Sequence, residues 1–178
     1  VSSCLIGLLA LGGCATGSQE ENYAERTPGA KVEDSSIQSK IFDALNAADA
    51  RYGDAHVNVD SHNSNVLLTG QVPSDELKQR ATEIARNVRS VRQVHNELMV
   101  SANTPVSQRM TDTWITGRIK ANLVANEDLD ANLIRVITEN GTVYLMGLVT
   151  QQQASQATGA ASGVGGVQRI VKVFEYLN

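Results

Sequence analysis

The apolar run VYLMGLV at residues 143–149 has a counterpart in VLLTGQV at residues 66–72, 77 residues earlier in the chain. Each run reaches a glycine and then a valine, a pattern typical of a buried strand that gives way to a turn. Similarity at a fixed interval indicates an internal repeat, so matching blocks are expected on either side of both runs.

Two such blocks are present. Upstream, residues 34–45 match residues 112–123 at an offset of 78, with an aspartate followed by apolar residues at every fourth position. Downstream, SVRQV at residues 90–94 matches GVQRI at residues 166–170 at an offset of 76. Three blocks in one order predict a duplicated domain, and the drift of one residue per block fits single insertions or deletions in loops.

Each copy predicts the order α-β-β-α-β over about 65 residues. Spacing of i, i+4 and i+8 indicates a first amphipathic helix, for which Asp34 and Asp112 are the expected N-caps. Strands are predicted at 57–59 and 134–136, in the two quoted runs, and at 94–100 and 170–176. We therefore expect an α+β chain of two tandem domains that pack on each other, each with a three-stranded mixed sheet against two helices.

Gly70 and Gly147 are expected to end the second strand of each copy, just before the chain turns into the second helix. A glycine at this point indicates either a positive φ or a helix that packs too closely to allow a Cβ. Both glycines are thus predicted to be structural.

The first residues have the character of a targeting segment. Residues 1–13 carry an apolar run too short to cross a bilayer, and they are expected to be a signal peptide that lacks its basic start. The sequence LGGC at residues 11–14 resembles the bacterial lipobox, which implies that Cys14 is diacylated. Residues 14–33 hold few aliphatic side chains and are predicted to form a flexible linker behind that anchor.

Composition excludes several classes of protein. The chain has 15 Lys+Arg against 19 Asp+Glu, which argues against a nucleic-acid partner. Its two cysteines both lie in the first fourteen residues, and its three histidines lie on separate segments without metal spacing. His62 beside Asp60 and Ser61 is interpreted as part of a polar hairpin turn. We expect no catalytic site, no metal and no cofactor.

The repeated blocks resemble the BON domain, here at residues 34–101 and 109–178. Two such domains behind a lipobox resemble the dual-BON outer-membrane lipoproteins of bacteria. Residue 15 is Ala, whereas Asp at this place tends to retain lipoproteins in the inner membrane. The resemblance therefore implies a protein anchored in the outer membrane, facing the periplasm and supporting envelope integrity, with relatives that gather at the division site.

Trp114 is the single tryptophan, and it takes the place of Ser36 in the first copy. It lies about 100° around the helix from the apolar stripe, which favours an exposed position beside a cation, as at a membrane–water interface. The alternative is that Trp114 packs over the edge of its own sheet or against the first copy. The resemblance implies binding of anionic phospholipid by this helix, at residues that here are Thr113, Trp114, Ile115, Gly117, Arg118 and Lys120.

A second function remains open at this point. The BON pair would instead bind a protein, such as an outer-membrane assembly factor or a cell-wall remodelling factor, and Trp114 would belong to that interface. Both hypotheses describe a binding protein rather than an enzyme.

Overall fold

The computed structural model describes residues 25–177. Five helices and seven strands follow one another in the order helix, short helix, strand, strand, helix, two strands, and then helix, two strands, helix and strand. The elements are α1 (Pro28–Ala48), α2 (Arg51–Asp54), β1 (His56–His62), β2 (Asn65–Val72), α3 (Asp75–Arg86), β3 (Gln93–Asn96), β4 (Met99–Val100), α4 (Val106–Val124), β5 (Arg135–Glu139), β6 (Thr142–Val149), α5 (Gln151–Ser162) and β7 (Arg169–Tyr176).

Each copy forms a mixed sheet, as the sequence predicts. In the first, β2 pairs antiparallel with β1 and parallel with β3 and β4. In the second, β6 pairs antiparallel with β5 and parallel with β7. The predicted last strand of the first copy is split, because Leu98 turns into the core between β3 and β4.

The two sheets face each other, and the helices cover their outer sides. Alternate residues of β2 point to opposite faces, so Val66 and Leu68 pack against α1 and α3 while Leu67 contacts the second sheet. Met146 on β6 meets Leu67 in this layer. The result is a four-layer arrangement, α/β/β/α, in which the two copies pack on each other through their strands.

Polar contacts also hold this junction together. The carboxylate of Glu139, buried at the end of β5, accepts hydrogen bonds from Gln71 Nε2 at 2.7 Å and Asn58 Nδ2 at 3.2 Å. Thr104, in the segment between the domains, donates from its hydroxyl to the same carboxylate at 3.4 Å. Because three donors from the first domain and the linker meet one buried charge, the relative position of the two sheets is specified.

Gly70 and Gly147 lie inside their strands, which continue to Val72 and Val149. At Gly70, where φ is +110°, a Cβ would come within 1.9 Å of the His56 carbonyl oxygen. At Gly147 a Cβ would come within 2.3 Å of the Leu133 carbonyl oxygen. The crowding neighbour at both glycines is the adjacent main chain and not the packed helix of the prediction, and the positive φ given as the alternative is present at Gly70.

The prediction that Asp34 and Asp112 cap their helices is wrong. α1 begins at Pro28 behind Thr27, whose hydroxyl accepts from Ala30 N, and α4 begins at Val106. Both aspartates are buried within their helices, where each accepts main-chain hydrogen bonds from the hairpin turn of its own sheet. The carboxylates fasten the helix to the hairpin.

The predicted linker is also shorter than expected. Residues 28–33 belong to α1, because Pro28 suits the first helical turn and Arg26 forms an ion pair with Asp34 at 2.8 Å. The predicted signal peptide and lipidated Cys14 lie outside the described residues. Within those residues, no helix is sufficiently long and apolar to cross a bilayer.

Candidate functional site

The outer face of α4 is an exposed apolar surface. Ile115, Ile119 and Leu123 fill the core on the inner side of the helix. At 100° per residue, the apolar residues of the opposite side fall within about 80° of arc. We call this set the α4 outer face; it consists of Val106, Met110, Trp114, Gly117, Ala121 and Val124.

The large side chains of this face are mostly uncovered. Val106 is 62% exposed, Met110 69%, Trp114 55% and Val124 73%. Single exposed apolar residues are ordinary on a protein surface, but four in register along one helix form a continuous stripe. Such a stripe is suited to contact with an apolar medium or a partner.

Cations border the stripe on both sides. Arg118 follows Trp114 by one turn, and its guanidinium carbon lies 6.0 Å from the centre of the indole ring, at the outer limit of a cation–π contact. Arg109 and Lys120 flank the other side of the stripe and are exposed. The only acidic residue of α4, Asp112, is buried, and none of the three cations forms a salt bridge with a described residue. The surface is therefore apolar in the middle and positive at its margins.

Five of the six residues predicted for lipid contact are exposed on α4, namely Thr113, Trp114, Gly117, Arg118 and Lys120. Of these, the Thr113 hydroxyl donates to the Arg109 carbonyl oxygen at 2.9 Å. The sixth, Ile115, is wrong as a surface residue, because it is fully buried in the core of the second domain. Trp114 is absent from the three hydrophobic clusters of the described residues, which argues against the alternative in which it packs on the first copy or on its own sheet.

Sequence reasoning missed Val106, Val124 and Arg109 as part of this surface. The helical period that identified the core stripe contains this signal on the opposite face. Extending the helix back to Val106 adds the first turn of the stripe.

His62, interpreted from the sequence as part of a polar hairpin turn, directly precedes that turn and is buried. His62 is the last residue of β1 and is 4% exposed. Burial, with a smaller contribution from Arg26, lowers the pKa of His62 from 6.5 to about 4. The Ser61 hydroxyl donates to Asp34, not to an imidazole. Among residues 25–177, no group of His, Cys, Asp or Glu is arranged to hold a metal ion.

A comparison with models of known protein families also finds two copies of one domain in this chain. The model of the BON domain matches residues 33–102 and again residues 111–178. The chain belongs to the BON-domain family.

Relatives of this BON-domain chain include three bacterial proteins. It is 38% identical to the outer membrane lipoprotein DolP of Haemophilus influenzae, over 86% of this chain and 79% of that protein. It is 34% identical to the 21 kDa hemolysin of Actinobacillus pleuropneumoniae, over 85% of this chain and 78% of that protein. It is 30% identical to the osmotically-inducible protein Y of Escherichia coli, over 96% of this chain and 93% of that protein.

Proposed function

We propose that this protein is an outer-membrane lipoprotein that binds anionic phospholipid through the α4 outer face of its second BON domain. The observation that carries the proposal is the exposed stripe of Val106, Met110, Trp114 and Val124 with cations along its margins. A helix of this character lies in the interface of a bilayer with its apolar side toward the acyl chains.

The chemistry of each part matches one layer of a membrane surface. An indole ring prefers the headgroup level, where its apolar body contacts hydrocarbon and its N–H can bond to polar groups. Arg109, Arg118 and Lys120 are long enough to reach lipid phosphates on either side of the stripe. Because these charges are exposed, binding is expected to weaken as salt rises.

Anchoring through Cys14 is the second half of the proposal. It is supported by the LGGC sequence at residues 11–14 and by the printed name of the Haemophilus relative, an outer membrane lipoprotein. Acylation at Cys14 would hold the folded domains on the periplasmic side, where α4 meets the same membrane. Support of envelope integrity at the division site stays a prediction from family resemblance.

Vesicle flotation tests the lipid site. A fragment of residues 15–178 would be mixed with vesicles of zwitterionic lipid alone or with added phosphatidylglycerol, and the bound fraction measured across a salt series. We expect binding to the anionic vesicles only, reduced at least about tenfold by Trp114→Ser, because the ring contributes most of the buried apolar area.

The matched control is Phe42→Ser. Phe42 is an aromatic residue on α1, 50% exposed and close in exposure to Trp114, but it lies outside the α4 outer face. Binding unchanged by Phe42→Ser and lost with Trp114→Ser supports the proposal. Equal binding to both kinds of vesicle, or equal loss in the two variants, contradicts it.

A further inference from the structure

A groove of about 1050 Å³ runs between the two domains. Its walls are α1 and α4, and its floor is formed by β1 and β5, so equivalent elements of the two copies face each other across it. One interdomain ion pair, between Arg135 of β5 and Asp60 of β1, lies along this space, and the lipid proposal uses only Lys120 and Val124 of its lining.

The groove runs along the edges of β1 and β5 and not over the face of either sheet. A cavity against the face of a sheet is lined by every second residue of a strand, because side chains alternate between faces. This groove is lined by the consecutive residues 57–60 of β1 and 135–138 of β5, together with Ile134 just before β5. The main chain of each strand therefore borders the open space.

Both strands are also terminal in their sheets. In the described part of the chain, β1 pairs only with β2, and β5 pairs only with β6. The edge of β1 is partly occupied, since Gln38 Nε2 donates to the Ser61 carbonyl oxygen at 3.5 Å and Asn103 accepts from His56 N at 3.0 Å. No described side chain bonds the main chain of residues 135–138. The edge of β5 is thus the better template for another strand.

The lining favours a peptide over an acyl chain. Asp43 on the α1 wall and Lys120 on the α4 wall are exposed and form no salt bridge with a described residue, so charges of both signs face the opening. Asn132 adds an exposed amide side chain. An acyl chain would leave these groups without partners, whereas a polypeptide carries donors, acceptors and charges of both signs.

We propose that this groove binds an extended peptide segment of a partner protein, which adds to the second sheet as a strand beside β5. Main-chain hydrogen bonds to residues 135–138 would supply the affinity, and the side chains of the α1 and α4 walls would select the sequence. This is a second binding site, which shares with the lipid site only Val124 at the end of the α4 outer face and the flanking Lys120.

The test uses random peptides displayed on phage and selected against the full chain. Binders would be synthesised and measured by titration against the chain and against Ser39→Trp, which places a large ring on the exposed α1 wall. We expect Ser39→Trp to weaken groove binders at least about tenfold, because the ring fills the space that a strand needs. Ser35→Trp is the matched control, one turn earlier on α1, exposed, and outside the groove lining.

Main-chain pairing has its own signature. In an added strand, alternate N–H groups point toward the edge and the others point away. N-methylation of the peptide at every second residue should therefore weaken binding at least about tenfold, while methylation at the intervening residues should change it less than about threefold. Trp114→Ser should leave peptide binding unchanged, which separates this proposal from the lipid proposal.

Three results would overturn the proposal. The first is a selection that yields no binder sensitive to Ser39→Trp. The second is equal loss with Ser35→Trp, or N-methyl effects that do not alternate. The third is protection of the amides of residues 135–138 from hydrogen exchange by short-chain phosphatidylglycerol but not by any selected peptide, which would assign the groove to a lipid.

Discussion

The first helices of the two copies, α1 and α4, have nearly the same inner face and very different outer faces. Each buries an aspartate, two isoleucines and a leucine in identical register, from Asp34 to Leu45 and from Asp112 to Leu123. On the outside, Trp114 stands where α1 has Ser36, and Ala121 stands where α1 has Asp43. The acidic residues exposed or half-exposed on α1 have no equivalent on α4.

The comparison separates the residues that maintain the fold from those that are available for binding. The inner face is set by the hairpin and sheet on which the helix packs, so duplication preserved it. The outer face contributes little to stability, since surface substitutions usually change it by less than about 0.5 kcal/mol. The second copy could therefore acquire an apolar, cationic surface without disturbing its core.

The largest expected change is in the free energy of unfolding, from substitutions on the inner face that the two helices share. Asp34→Ala and Asp112→Ala should each destabilise their domain by on the order of 3–5 kcal/mol, because buried hairpin N–H groups lose their acceptor. Asp34 should be the costlier, since it accepts from Ser61, Ser64, Asn63 and Arg26. Urea unfolding measures both; a loss under about 1 kcal/mol in either would refute the role of the carboxylate.

The same aspartate predicts a loss of stability in acid. Burial by itself would raise the pKa of Asp34, but the hydrogen bonds from Ser64, Arg26, Ser61 and Asn63 hold it below its ordinary value of 3.8. A lowered folded pKa means that the contribution is complete above pH 3.8 and is lost as pH falls through the folded pKa. The pH dependence of unfolding below about pH 4 should therefore be weaker in Asp34→Asn than in the parent chain.

A second contrast concerns the last residue of the first strand, which is His62 in β1 and Glu139 in β5. Because the pKa of His62 falls from 6.5 unfolded to about 4 folded, the unfolded chain takes up a proton first as pH drops. Stability should decline between pH 6.5 and about 4, by on the order of 3 kcal/mol.

His62→Gln tests this by removing the decline, and His95→Gln is the control. Burial also lowers the pKa of His95, but its ring is less enclosed than that of His62. Urea unfolding at pH 7 and pH 5 gives the comparison. A decline that persists in His62→Gln would show that another group titrates in this range.

The cations of the two helices should differ in their effect on lipid binding. Arg109→Gln, Arg118→Gln and Lys120→Gln should each weaken binding to anionic vesicles by roughly fivefold, as expected for about 1 kcal/mol per charge near a membrane. Lys31→Gln and Lys40→Gln on α1 are the matched controls, and they should leave binding unchanged. Equal effects from the two sets would indicate a general electrostatic attraction without a defined site.

The smallest expected change is in vesicle binding, from substitution of one exposed apolar residue on each helix. Met110 and Val32 are equivalent in the repeat and equally uncovered, at 69% and 71% exposed. Met110→Ser should reduce vesicle binding about threefold, because one partly inserted side chain is lost, and Val32→Ser should have no effect. Flotation at fixed lipid concentration measures both, and a reversed order would place the contact on α1.

Much of the fold could be predicted from sequence because apolar periodicity is a local signal. The strands around Leu67 and Leu145 and the core stripe of Ile115, Ile119 and Leu123 follow from it directly. The buried aspartates could not be recognised, since an aspartate before an apolar helix is also the pattern of an N-cap. Their acceptor role depends on a hairpin about 30 residues away.

Part of the candidate site could be predicted from sequence, because some of its residues give a local signal and others do not. Trp114 and Arg118 stand out because the first copy lacks a tryptophan, whereas Val106 and Val124 become meaningful only when the helix bounds are known. Ile115 was included through the resemblance, although its place in the period of the core stripe already marked it as buried. The groove depends on how two sheets face each other, and no single-copy pattern contains that information.

Trp114 fluorescence is the most direct test of membrane contact by α4, because Trp114 is the only tryptophan in the chain. Residues 15–178 would be titrated with zwitterionic vesicles and then with vesicles containing phosphatidylglycerol, at low and high salt. We expect a blue shift with the anionic vesicles alone, lost at high salt, as the exposed indole enters the headgroup region. An emission spectrum unchanged by either lipid would contradict membrane contact by α4.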